Sequence, residues 1–191
     1  IYDNAEGFGA HTGILGTVDC YSLHATKVVN SGEGGGVACD DREWFDHWRN
    51  IGLDGVTYDA SCVGTNAKMS EFHAVLGLLS LTQERDEVQE RSRLLATYYA
   101  ELHDVARFQA GSPYNCVVLL DDRGSVAERL DEAGIDTRIY FYPIHHMSPY
   151  RQYADHELPV TDSVASQCLA LPLWAGLGTD TVLRICQVVK Q

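Results

Sequence analysis

The sequence predicts an α/β protein built in two parts, and three observations point there. Residues 1–40 alternate short β-like stretches with glycine turns. Residues 67–105 carry apolar side chains at helical spacing. Further along, the pattern runs strand, helix, strand, helix, helix, the order of a small α/β domain. The expected division is residues 1–92 and residues 93–191.

In order along the chain, Thr17–Leu23 and Gly36–Cys39 are the first strand candidates, with Lys27 in the connection between them. Asp41–Asn50 reads as a helix whose acidic start suits the helix dipole, and residues 51–66 read as loop. Met69, Phe72, Leu76 and Leu79 recur at helical spacing and predict an amphipathic helix over Ala67–Leu81. A second, longer helix is expected over Glu84–Val105, with Val88, Leu95, Tyr98 and Leu102 on one face. Cys116–Leu120 is an apolar strand, and Ser125–Ala133 a short helix closed by Gly134. Ile135, Thr137, Ile139 and Phe141 alternate as in a half-buried strand. Thr161–Leu169 and Thr179–Val189 are the last expected helices.

Composition sets limits on function. Of the 191 residues, 45% are hydrophobic and 21% charged, enough for an ordinary soluble core. The formal net charge of −13 repels a phosphate backbone, so no nucleic-acid partner is expected. A phosphorylated small molecule needs a local cluster of donors instead. No apolar run is long enough to span a membrane, and the start of the chain lacks the pattern of a signal peptide. The chain opens without Met on what reads as a buried strand, so it is expected to be the back part of a longer protein. Cys20, Cys39, Cys62, Cys116, Cys168 and Cys186 include no C-x-x-C pair, and most sit among apolar neighbours. Buried, reduced thiols of a cytoplasmic protein are the expectation.

The chemistry-bearing residues cluster in three stretches. Ser22-Leu23-His24-Ala25-Thr26-Lys27 sets one lysine after a hydroxyl-rich turn and before the glycine run Gly32-Glu33-Gly34-Gly35-Gly36. A lone lysine is usually a solvated surface charge. One that must bond a carbonyl carbon needs a fixed backbone, nearby hydroxyls and little bulk around it, and must be deprotonated to react. Upstream, Tyr2-Asp3-Asn4-Ala5-Glu6-Gly7 holds two carboxylates on a turn. Downstream lie Gly64-Thr65-Asn66-Ala67-Lys68-Met69 and Thr137-Arg138-Ile139-Tyr140-Phe141-Tyr142-Pro143-Ile144-His145.

Together these motifs closely resemble those of the DegT/DnrJ/EryC1/StrS sugar aminotransferases, along the whole chain but over only part of that family's usual length. The resemblance implies pyridoxal 5′-phosphate (PLP) as cofactor and the type I fold of PLP-dependent transferases, the aspartate-aminotransferase type. Residues 1–92 would be the back part of its large domain and 93–191 its small C-terminal domain. It implies that Lys27 carries PLP as an internal aldimine and that Asp3 meets the pyridinium nitrogen. A carboxylate there keeps the ring protonated, so the ring can act as an electron sink. Ser22 would bind the cofactor phosphate. Glu6 stands where the family often has Gln or His against the cofactor's 3′-oxygen, and so departs from the pattern. Asn66 would reach the phosphate of a neighbouring subunit, making the active site shared in a homodimer, or would simply cap a helix. Arg138, Tyr142 and His145 would line the pocket for the sugar nucleotide. The implied reaction moves an amino group from L-glutamate to a keto-deoxysugar linked to a nucleoside diphosphate.

Two other readings stay open: a non-catalytic PLP-binding regulatory relative, or a fragment inactive without its N-terminal half. PLP-dependent sugar dehydratases tend to replace the lysine with histidine, which this chain does not. No metal is expected: His145 and His146, read as neighbours on a strand, would point to opposite faces, with no carboxylate or cysteine at ligand spacing.

Overall fold

The computed structural model describes residues 1–10, 13–41, 43, 67–108, 111–153 and 157–191. Asn66 and the expected loop at 51–66 lie outside the described residues, as does the expected helix at 41–50 apart from Asp41 and Glu43. The chain divides into two compact units, Ile1–Arg85 and Asp86–Gln191.

In the first unit, strands β1 (Tyr2–Asp3), β2 (Val18–Ser22) and β3 (Gly35–Cys39) form a sheet in that order. β1 runs parallel to β2, with Asp3 opposite Cys20, and β3 runs antiparallel to β2, with Ser22 opposite Gly35. Val18 is buried at the start of β2, and Val28 and Val29 are buried in the β2–β3 connection. Those two valines anchor the connection immediately beyond Lys27.

The two helices expected over 67–105 are one. Helix α1 spans Glu71–Leu102 without interruption. Nothing in Leu81-Thr82-Gln83 breaks it: Thr82 Oγ1 donates to the Leu79 carbonyl at 2.7 Å, so the hydroxyl satisfies itself within the helix. The apolar stripe read from the sequence marks the inner face of its first turns only in part: Met69 and Leu76 are half-buried against the glycine run. Phe72 and Leu79 are exposed, whereas Gly77 is buried and Ser80 Oγ accepts the Asn30 N–H at 3.1 Å. Small residues let the helix backbone approach the loop; a Cβ on Gly77 would lie 3.3 Å from Ser31 Cβ.

The second unit is a helix-covered antiparallel sheet, β4 (Arg107–Phe108), β5 (Cys116–Leu119) and β6 (Cys168–Leu171), in that order. Around it lie α2 (Arg123–Glu132), α3 (Pro159–Gln167) and α4 (Thr179–Val189). Alternation decides which residues face the main core. Cys116, Val118, Leu169 and Leu171 join the cluster of Leu94, Tyr98, Leu102, Leu130, Val182 and Ile185. Val117, Cys168 and Ala170 form a smaller cluster with Tyr140 packed against it. Asp122 caps α2, its carboxylate accepting from Ser125 N–H at 3.2 Å; hydrogen bonding from the Ser125 side chain, and then from its N–H, holds the carboxyl below the usual range.

Two expectations are corrected here. The helix predicted over Thr161–Leu169 ends at Gln167, and its last two positions begin β6. All four residues of β6 are buried, so it reads as a short apolar run without the alternation that marks a strand. The strand predicted over 135–141 reduces to a bridge in which Arg138 and Ala170 exchange backbone hydrogen bonds of 3.2 and 2.7 Å.

Candidate active site

The β2–β3 connection holds Lys27 through its backbone. Lys27 N–H donates to the His24 carbonyl at 2.9 Å, closing a turn, and Ser31 N–H donates to the Leu23 carbonyl at 2.8 Å, closing the loop. The glycine run makes this closure possible. Gly34 has φ +148°, and a Cβ there would sit 2.6 Å from Met69 Cε and 2.8 Å from Ser31 Oγ. The hydroxyls are also engaged: Ser22 Oγ accepts the His24 N–H at 3.2 Å, and Thr26 Oγ1 lies 3.0 Å from His24 Nδ1. Since Ser22 Oγ acts only as an acceptor in that contact, its own O–H can point elsewhere.

From this loop the Lys27 side chain reaches back to the turn after β1. Its Nζ donates to Glu6 Oε1 at 3.2 Å, with the lysine side chain 14% exposed and that of Glu6 40%. Residues 21 positions apart thus meet at the turn that follows Asp3. Asp3 Oδ1 accepts the Ala5 N–H at 2.9 Å, which shapes the start of the turn.

Two residues that the motif reading did not single out brace this turn from below. Asn4 is buried, and its amide donates to Asp19 Oδ2 at 2.9 Å and to Tyr21 Oη at 3.4 Å. Asp19, fully buried on β2, also accepts from Leu15 N–H at 2.9 Å and Gly16 N–H at 2.8 Å. No spacing in the sequence ties Asn4 to Asp19; only the parallel pairing of β1 with β2 brings them together.

The second unit places its three candidates differently. Arg138 is exposed, and Tyr142 is 58% exposed with its ring 6.0 Å from that of His146. His145 is not on a strand. It lies in a 3-10 turn, Ile144–His146, and its Nε2 is 3.0 Å from Asp162 Oδ1. The premise against a histidine pair is thereby corrected, because His146 Nε2 lies 3.1 Å from the same oxygen.

A family model described as the DegT/DnrJ/EryC1/StrS aminotransferase family matches residues 1–190. The chain belongs to this family.

GDP-perosamine synthase of Escherichia coli O157:H7 is 26% identical over 210 residues, which take in 100% of this chain and 57% of that protein. The UDP-2-acetamido-2-deoxy-3-oxo-D-glucuronate aminotransferase of Pseudomonas aeruginosa is 30% identical over 206 residues, 97% of this chain and 56% of that one. Among solved structures, a DegT DnrJ EryC1 StrS aminotransferase from Brucella abortus superposes with a TM-score of 0.88 at 27% identity, over 98% of this chain and 55% of that one. DesI, solved in the presence of its TDP-sugar product, superposes with a TM-score of 0.80 at 33% identity, over 93% and 50%. The chain spans about half the length of the relatives it matches. The fold is the type I fold of PLP-dependent transferases, as the family motifs implied, and PLP is the cofactor that goes with the family.

The residues present fit that cofactor. One little-exposed amine lies against Glu6, three residues after Asp3, a carboxylate able to meet a pyridinium, and a strand-end hydroxyl at Ser22 is able to donate to a phosphate. No described helix is long and apolar enough to cross a membrane.

Proposed function

We propose that the protein is a PLP-dependent aminotransferase that moves an amino group from L-glutamate to a keto-deoxysugar linked to a nucleoside diphosphate. The observation that supports this most is the placement of Lys27: a lysine on a closed loop, 14% exposed, with its amine held against Glu6 three residues after Asp3. The names of the relatives, sugar-nucleotide aminotransferases from several bacteria, support the substrate class. The two compact units are proposed as the back part of the large domain and the small C-terminal domain.

When bound, the cofactor supplies an electron sink next to the carbon whose proton must move. This chain's residues do the rest. Lys27 would hold the cofactor covalently and, once released, would take the proton from the donor's α-carbon and later deliver one to the sugar carbon. Asp3 would keep the pyridinium proton in place, and Ser22 would donate its hydroxyl hydrogen to the phosphate. Glu6 accepts the hydrogen bond of Lys27 and keeps the amine at the turn. Arg138, Tyr142 and His145 are proposed to contact the nucleotide sugar. The planar guanidinium fork suits a diphosphate. A homodimer with Asn66 reaching the partner's cofactor, and a cytoplasmic location, complete the proposal.

The decisive test is chemical. Borohydride reduction of the full-length protein should fix the cofactor on the peptide that contains Lys27, as read by peptide mass. Lys27→Ala should abolish that adduct; an adduct surviving the substitution would overturn the assignment. Adding L-glutamate should then convert the visible spectrum to the pyridoxamine form. A stable spectrum under glutamate would instead indicate the non-catalytic regulatory reading.

A further inference from the structure

His145, His146 and Asp162 lie outside the lysine site, and the proposed aminotransferase reaction leaves His146 and Asp162 without a role. They come from two separate elements. The histidines occupy the 3-10 turn Ile144–His146, and Asp162 lies in the first turn of α3. Both segments are fixed by backbone hydrogen bonds. His146 N–H donates to the Pro143 carbonyl at 3.0 Å, and Asp162 N–H donates to the Leu158 carbonyl at 3.0 Å, the turn of α3 that Pro159 starts. Arg151 Nε donates to the His146 carbonyl at 3.2 Å.

The side chains converge. His145 Nε2 and His146 Nε2 lie 3.0 and 3.1 Å from the same oxygen, Asp162 Oδ1, and all three ligand atoms lie within 4.8 Å of one another. Neighbouring ligand atoms around a tetrahedral ion bound at about 2.0–2.1 Å sit roughly 3.3–3.4 Å apart. The two imidazole-to-carboxylate distances, 3.0 and 3.1 Å, are a few tenths of an ångström shorter, so a small outward shift of the side chains admits the ion. The two rings lie 4.2 Å apart at 67° to each other, so they approach the carboxylate from different directions. His145 is 15% exposed, while His146 and Asp162 are about half exposed at 46% and 44%, so an ion could enter from solvent.

We propose that His145, His146 and Asp162 form a binding site for a divalent transition-metal ion of the zinc class. Two imidazoles and one carboxylate are the donor set that favours such ions over magnesium or calcium, which prefer oxygen throughout. Three protein ligands leave at least one position open for water or another oxygen ligand. Each histidine would coordinate through the lone pair of its Nε2 atom. By joining the 3-10 turn to α3, the ion also raises the stability of this part of the second unit. None of these observations involves Lys27 or the cofactor; the inference shares only His145 with the proposed nucleotide-sugar contacts, and its test rests on His146 and Asp162.

The test uses the full-length protein with its cofactor and Zn²⁺ as the titrant, followed by calorimetry and thermal unfolding. One equivalent is expected to bind with a rise in Tm. His146→Ala and Asp162→Asn should each weaken binding at least about tenfold and remove the Tm rise, and Asp162→Glu should restore part of both. In the cobalt-substituted wild type, the visible bands should report nitrogen and oxygen ligands and be absent from Asp162→Asn. Circular dichroism of the variants checks that they fold. No saturable binding to a folded wild type, or wild-type affinity retained in His146→Ala and Asp162→Asn, would overturn the proposal and leave a hydrogen-bonded carboxylate only.

Discussion

Asp19 takes no part in the proposed chemistry, yet it supports the ground beneath it. Its carboxylate is fully buried and accepts hydrogen bonds from Leu15 N–H, Gly16 N–H and the Asn4 amide. Removing an acceptor that serves several buried donors costs about 1–3 kcal/mol for each donor left unpaired. Asp19→Ala is therefore expected to lower stability by about 2–4 kcal/mol in urea unfolding and to loosen the Asp3–Glu6 turn. Gly34 is a second support. At φ +148°, with Met69 Cε and Ser31 Oγ where a Cβ would go, Gly34→Ala should cost about 1–3 kcal/mol and be visible as a lower Tm. At this scale the sequence offers candidates where a motif sets residue types at short spacing, as at Ser22, Lys27 and Asp3, whose roles are proposals. The meeting of Lys27 with Glu6 is not legible in it, because it depends on how a loop closes against a turn 21 residues upstream. The shared oxygen of Asp162 was hidden for a related reason: a 3-10 turn sends adjacent side chains about 120° apart rather than to opposite faces.

Among the elements, α1 shows what propensity and periodicity can and cannot reveal. Its C-terminal half was legible: Leu95, Tyr98 and Leu102 were expected on one face, and all three are buried. Its N-terminal half was so only in part, because much of the contact face there is made of small residues such as Gly77, which carry little hydrophobic signal. Strand β6 escaped for the opposite reason, being buried along its whole length. Tyr98 ties helix to sheet region, with its ring in the core and its hydroxyl donating to the Pro172 carbonyl at 2.9 Å. Tyr98→Phe should remove about 1 kcal/mol of stability, whereas Leu94→Ala, which empties a fully buried site, should remove about 2–5 kcal/mol. Denaturant midpoints of the two variants would check the ratio.

For the whole molecule, the buried acids of the second unit set its response to alkali. Burial pushes the Cys186 thiol up to about 11, and burial raises Cys116 and Tyr98 as well. Each group binds its proton more tightly folded than unfolded, so its contribution is complete below the ordinary thiol range and is lost as pH rises through the folded value. Stability should therefore be flat near neutrality and fall from about pH 8.5 upward, with Cys116 and Cys186 slow to react with thiol reagents until it does. Equilibrium unfolding across that range, with alkylation mapped by peptide mass, would show it. The unbroken run of α1 carries a consequence for how this chain can be divided. The border between the compact units, Arg85 and Asp86, falls inside a continuous helix. A cut there would leave four carbonyls and four N–H groups without intrahelical partners on the two new ends. Neither piece is then a natural module, and a hybrid made by exchanging units between relatives needs its junction outside Glu71–Leu102.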